Sequence, residues 1–327
     1  ALQQRFPETK FDFINAGIAS TDSTLGAFRL GSDVLGKGWV DLFFIEFAVN
    51  DSGNGRSETD SIRGMEGIIR QARDYNPTME IIVLYFYDPA KREDISREKT
   101  PAVIAAHEKV MRHYGIISID LAQEVTDRMN AGEFEPAQFS GDGVHPAPLG
   151  CQIYADAVGR TLDMIWGNPL PAEFPIRNHS MPAPLDPLNY SRGRFVDLKQ
   201  AELVSGWEYV PSWNTSEGQT RSQFVNVPAL EAKEPGATLK LKFTGTAIGL
   251  LEVAGPDVGI IEFSIDGQPF QKLDQFTFWS DYLHIPWAYM LATDLPTGDH
   301  EITIRITDQK NEKSKGFAAR IEQFLVN

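Results

Sequence analysis

Long apolar runs separated by helical stripes fill the first half of the chain, and short alternating segments punctuated by turns fill the second. The densest run is Trp39–Ser52, WVDLFFIEFAVNDS, in which Glu46 is the one charge between Leu42 and Val49. Such near-continuous hydrophobicity predicts a strand covered on both faces, as in a parallel sheet flanked by helices. The run stops at Asn50-Asp51 and enters a Gly-rich loop. Ligands of open α/β sheets bind beyond the carboxyl ends of the strands. Asn50 and Asp51 are therefore candidates for the floor of a site, and turn chemistry after a core strand is the plainer reading of the same residues.

Around this run the pattern predicts short strands at Phe11–Asn15 and Ile116–Asp120 and a longer one at Glu80–Tyr87, EIIVLYFY. Small residues at 16–22 predict a loop, followed by a helix around 23–35. Ile62, Met65, Ile68 and Ile69 recur at helical spacing and predict a helix from about Thr59 to Tyr75. Further helices are predicted over 101–114, with Pro near the first turn, over 121–130, ended by Gly132, and over 148–166. The chain opens on Ala1 in a helix-like ALQQRF, which predicts a start in mid-domain with an element upstream. Strands alternating with helices predict a layered α/β domain with a parallel sheet over 1–167.

Six of the twenty prolines fall between Pro169 and Pro187, and 168–188 reads as a Pro-rich linker or a wrapped, extended strap. From Asn189 to Asn327 the pattern changes. ATLKLKFTG, AIGLLEV, GIIEFSIDG, HEITIRITD and ARIEQFLVN predict strands, several with one exposed face, and Asp266-Gly267 predicts a hairpin turn. This second domain reads as an all-β, jelly-roll-like sandwich.

Composition narrows the function. A chain of 327 residues is long enough for two domains, and 42% hydrophobic with 23% charged residues is ordinary for a globular protein. A net charge of −15 argues against a nucleic-acid surface, which needs clustered Lys and Arg. A single cysteine, Cys151, excludes an internal disulfide and a Cys-based zinc site; such poverty suits the cytosol without forbidding secretion. No segment is long and apolar enough to span a bilayer.

Two Asp-x-x-His patterns occur. Asp142 and His145 lie in the Gly/Pro loop FSGDGVHPAPLG, where a carboxylate can hold one imidazole nitrogen and leave the other free as a base. Asp281 and His284 lie among Trp279, Tyr282 and Trp287 in the β domain, which favours structural or ligand-contact duty. His107 and His113 share one helix and read as solvated or packing residues rather than metal ligands. The aromatic stretch 275–290 could stack on sugar rings, but sandwich core or domain interface is the favoured reading. Glu46, inside a buried run, needs a partner such as Arg29 or a group upstream of Ala1, and a paired structural acid is the favoured reading.

NAGIASTDS (15–23), FAVND (47–51) and DGVHP (142–146) stand in an order that resembles the GDSL, or SGNH, hydrolase family over about residues 1–166. The resemblance implies a three-layer α/β/α, flavodoxin-like fold. It implies His145 as general base, Asp142 as its orienting partner, Asn50 as an oxyanion donor and Ser20 as a backbone oxyanion donor. Where the family has Gly in the second block and before Val-Asn-Asp, this chain has Ser20 and Ala48. The family's nucleophile block, Gly-(Asp/Gly)-Ser, is absent; Ser20, Ser23 and Ser52 lack its strand-to-helix setting. Either the nucleophile lies upstream of Ala1, which the non-Met start favours, or it has been lost. The implied function is a serine esterase acting on a carboxylic ester, first of all an O-acetyl group on a carbohydrate, with no metal or organic cofactor. Its partner would be a small-molecule or polysaccharide ester, in a secreted or periplasmic setting. The rival is an inactive carbohydrate-binding or scaffold protein that keeps the fold.

Overall fold

In the computed structural model, which describes residues 2–168, 173 and 175–327, contacts divide the chain into two units. One comprises Ala1–Ala16 with Ser32–Asn189, the other Gly17–Gly31 with Tyr190–Asn327. Pro169 and Pro171 lie outside the described residues.

The first unit is built on a parallel sheet in the order β1 (Leu42–Ile45), β2 (Glu80–Tyr85), β3 (Ile117–Asp120), with Phe43 opposite Ile81 and Val83 opposite Ser118. A one-turn helix, α1 (Leu2–Arg5), opens the chain, and α2 (Ser23–Asp33) straddles the division between units. The remaining helices are α3 (Ala48–Gly53), α4 (Glu58–Tyr75), α5 (Pro89–Ser96), α6 (Ala102–Tyr114), α7 (Leu121–Asn130), α8 (Pro136–Phe139) and α9 (Pro148–Trp166). They fall into two groups, α3 and α4 packed with α6, and α5 and α9 packed with α7, which gives the α/β/α layering.

Local signals explain the helix ends. Ser57 and Asp60 form a reciprocal capping box at the start of α4. Met65, Ile68, Ile69 and Ala72 then make its buried stripe. Asp88 caps α5, with Pro89 in the first turn. The proline-rich segment is a strap in its described part: Glu66 accepts N–H bonds from Leu185 and Asp186, Arg63 pairs with Asp186 at 2.8 Å, and Arg73 donates to the Ser180 carbonyl.

Two expectations fail here. Phe11–Asn15 is in no described ladder, and Phe13 is 77% exposed; an apolar alternation makes a strand only where a neighbouring strand pairs with it. The run from Trp39 is a strand only over Leu42–Ile45, with Leu42, Phe43 and Phe44 half-buried rather than covered on both faces. The chain then turns into α3, because the Asp51 N–H finds the Phe47 carbonyl at 2.8 Å instead of a neighbouring strand.

The second unit holds two antiparallel sheets. Its strands are β4 (Arg194–Val196), β5 (Glu202–Ser205), β6 (Glu208–Trp213), β7 (Val227–Ala232), β8 (Thr238–Gly245), β9 (Ile248–Ala254), β10 (Ile260–Ile265), β11 (Gln271–Asp274), β12 (Ile285–Ala292), β13 (Gly298–Ile306) and β14 (Ala319–Val326). One sheet runs β11-β10-β13-β8-β5; the other runs β12-β9-β14-β7-β6, with β4 also on β14. Leu239, Leu241, Ile302 and Ile304 of the first meet Ile248, Leu250, Ile321 and Phe324 of the second in one buried core. Asp266 and Gly267, both with positive φ, turn the chain between β10 and β11.

Candidate active site

Asp142 and His145 sit in the loop between α8 and α9, closed at its base by bridge pairing of Ser140 with Pro146. The carboxylate organises this loop. Its Oδ1 accepts the N–H groups of Val144 (2.9 Å) and His145 (2.8 Å) and the Ser140 hydroxyl (3.0 Å). Its Oδ2 lies 2.6 Å from His145 Nδ1. These bonds, the Val144 N–H foremost and the imidazole next, hold the Asp142 carboxyl well below the usual carboxylate range. With the proton on Nδ1 facing the carboxylate, Nε2 carries a lone pair, and the His145 side chain is 83% exposed. The arrangement can take a proton from an incoming nucleophile.

Asn50 stands on α3, half-buried, directly beyond the end of β1. It is therefore on a short helix rather than in the turn expected at a strand tip. Asp51, its neighbour, is fully buried, and its Oδ2 lies 2.8 Å from Nε2 of the equally buried His107 on α6. Sequence reasoning missed this pair. His107 shows only helical burial in the sequence, and its partner lies 56 positions away. Glu46 is partnered by α3 itself, accepting the Val49 N–H at 3.2 Å; burial pushes its carboxyl up, and that bond and Lys91 pull it part of the way back.

Ser20 groups with the second unit and has φ 70, a left-handed conformation that favours glycine, so the backbone there keeps a glycine shape under a serine side chain. The second Asp-x-x-His does not form a pair. His284 is buried 3.7 Å from Asp257, and Asp281 lies 4.0 Å from Lys313. The aromatic stretch divides. Trp287 packs on a buried cluster, as a core reading expects. Phe278 (85%), Trp279 (39%) and Tyr282 (50%) are instead exposed, because they lie in the bend between β11 and β12, outside both sheets. His113 binds the Ala183 carbonyl. Among the described residues no cluster of three or more His, Cys, Asp or Glu could hold a metal, and no helix is long and apolar enough to cross a membrane.

Residues 1–153 match the GDSL-like Lipase/Acylhydrolase family. No curated protein matches the chain. Among solved structures, the chain is similar to a two-domain esterase (CEX) active on acetylated mannans, co-crystallized with mannopentaose. The identity is 19%, over 99% of this chain and 82% of the other, with a TM-score of 0.74. A second structure of a two-domain esterase (CEX) active on acetylated mannans matches at 18% identity over the same shares, with a TM-score of 0.76.

Proposed function

We propose, from the match of residues 1–153 to the GDSL-like Lipase/Acylhydrolase family, that the protein is a serine esterase that removes O-acetyl groups from a carbohydrate. The observation that carries the proposal is the Asp142–His145 pair, bonded at 2.6 Å with the far ring nitrogen open to solvent. In the proposed reaction His145 Nε2 takes the proton of a serine hydroxyl as its oxygen attacks the acetyl carbonyl. Asp142 stabilises the imidazolium that forms. Asn50 donates its side-chain amide to the oxyanion of the tetrahedral intermediate. Collapse of that intermediate breaks the ester bond, His145 returns the proton to the departing sugar hydroxyl, and water attacks the acetyl-enzyme by the same route. No Gly-Asp-Ser or Gly-Gly-Ser occurs in the 327 residues, and the proposal takes the nucleophile to lie outside them.

A carbohydrate ester is favoured over a lipid by three considerations. Two-domain esterases active on acetylated mannans share this fold along nearly the whole chain. The charge of −15 suits a neutral substrate better than an anionic lipid surface. The exposed rings of Phe278, Trp279 and Tyr282 offer the flat apolar faces on which sugar rings stack. The test is acetate release by the full-length gene product from p-nitrophenyl acetate and from an acetylated mannan oligosaccharide. Hydrolysis of both by wild type and of neither by His145→Ala is expected. A wild type that hydrolyses neither would leave a carbohydrate-binding or scaffold protein in place of the enzyme.

A further inference from the structure

Asn50 stands on a helix of six residues, too short to hold a side chain in place by its own hydrogen bonds. Contacts from outside the helix hold α3, among them one near its start and one from α6. The Glu46 carboxylate accepts the Val49 N–H near its start. The Asp51 carboxylate, at the position after Asn50, is bound by His107 of α6, and neither side chain is exposed at all. Successive side chains on a helix point about 100° apart. With Asp51 locked against α6, Asn50 is turned away from that contact and remains half-buried. The pair thus sets the rotation of α3 about its own axis.

His107 is enclosed on both sides of its ring. Nε2 lies against the Asp51 carboxyl, Nδ1 is buried with no partner, and the ring stands 6.1 Å from the Tyr85 ring. A side chain so enclosed touches no substrate.

We infer that the buried Asp51–His107 pair is a positioning element for ester hydrolysis, aiming the Asn50 amide at the oxyanion through the orientation of α3. The inference rests on the esterase reading and adds to it two residues that touch no substrate. An oxyanion donor works at 2.7–3.1 Å, and a displacement of about 1 Å is worth about a hundredfold in rate. A pair that served stability alone would leave the kcat of the folded enzyme unchanged.

The test is a double-mutant cycle on the full-length protein. His107→Leu is expected to lower kcat about 10–100-fold with KM within about twofold. His107→Gln, whose amide can still donate to Asp51, is expected to recover most of that loss. In an Asn50→Ala background His107→Leu should cost less than about twofold more, because the amide it aims is already gone. An equal loss in both backgrounds overturns the inference. Should His107→Leu fail to fold, Asp51→Asn replaces it in the same cycle. A second readout needs no activity. With ¹⁵N-labelled asparagine, the Asn50 side-chain amide signals, identified by their loss in Asn50→Ala, should broaden in His107→Leu or, in its place, Asp51→Asn, and sharpen again in His107→Gln. Signals unchanged in every variant overturn the inference even in an active enzyme. A wild type without esterase activity counts against the esterase reading alone, and the amide signals then decide the positioning.

Discussion

The first unit contains two Asp–His pairs of nearly equal length in opposite surroundings. Asp142–His145 is bonded at 2.6 Å with side chains 58% and 83% exposed, and Asp51–His107 at 2.8 Å with both at 0%. In each, one ring nitrogen faces a carboxylate. The difference lies in the other nitrogen, which meets solvent in the first pair and no partner at all in the second. An exposed ion pair contributes little to stability, so the first can be held for chemistry at almost no structural consequence. A buried pair is costly to break, so the second is tied to the fold that presents Asn50. The same hydrogen bond sits in two settings, and burial separates them.

The comparison breaks if the exposed pair carries stability or the buried pair carries proton transfer. The largest effect is expected at His145: His145→Ala should lower kcat/KM by about 10⁴ with an unchanged melting temperature, measured by acetate release and calorimetry. The acid limb of the wild-type pH–rate profile should have the slope of a single proton. Asp142 stays ionised well below the usual carboxylate range, so it adds no second proton to that limb. A two-proton slope would show the carboxylate titrating as well. At the buried pair, Asp51→Ala should lower stability by about 3 kcal/mol, where the values for a lost bond to a charged group and for a broken buried pair meet. Chemical denaturation measures it. A loss below about 1 kcal/mol would mean that the buried pair is as dispensable to the fold as a surface one.

Glu252 shows what a buried carboxyl does without a histidine. It is fully buried on β9, neither oxygen has a partner, and burial pushes its pKa up to about 8 from an ordinary 4.5. The folded chain keeps it protonated while the unfolded chain ionises it. Its contribution is therefore fully present below about pH 4.5, is lost as pH rises, and is gone above about pH 8. Glu252→Gln removes that titration. Between about pH 5 and pH 8 the variant should lose less stability than wild type, by on the order of a few kcal/mol. Glu322, pushed up to about 9, keeps its own slope in both proteins. Parallel stability curves for variant and wild type would show that Glu252 has a partner after all.

The sequence carried the elements better than the contacts. Helices over 121–130 and 148–166 lie where predicted, because Gly132 and Pro148 mark their ends. The α/β/α and β-sandwich classes follow from periodicities that survive folding unchanged. Phe11–Asn15 misled because alternation does not say whether a partner strand exists. Helix α3 was hidden inside an apolar run whose composition favours strand. Helix α5 was legible in principle, from Asp88 as cap and Pro89 in the first turn. Asp142–His145 could be read because three positions separate the partners; Asp51–His107 could not, because 56 do and the pairing depends on how α3 and α6 pack.

The smallest expected effect tests whether the exposed pair depends on the shape of its loop. Gly143 lies between Asp142 and the two N–H groups that its carboxylate accepts, with φ +87, and a Cβ there would meet Pro89 Cγ at 3.2 Å. Gly143→Ala adds a left-handed penalty of about 1 kcal/mol and presses the loop against α5. Relief of either strain moves Val144 and His145 away from Oδ1, and with them the imidazole. Gly132, at the end of α7 with φ +76 and no atom within 4 Å of a built Cβ, is the control. Gly132→Ala should carry the left-handed penalty of about 1 kcal/mol alone and leave kcat/KM unchanged, while Gly143→Ala should also lower kcat/KM about fivefold through the displaced imidazole. Equal activities in the two variants would mean that Asp142 holds His145 by the 2.6 Å imidazole bond alone, and that the backbone bonds of the loop serve only to keep the carboxylate ionised.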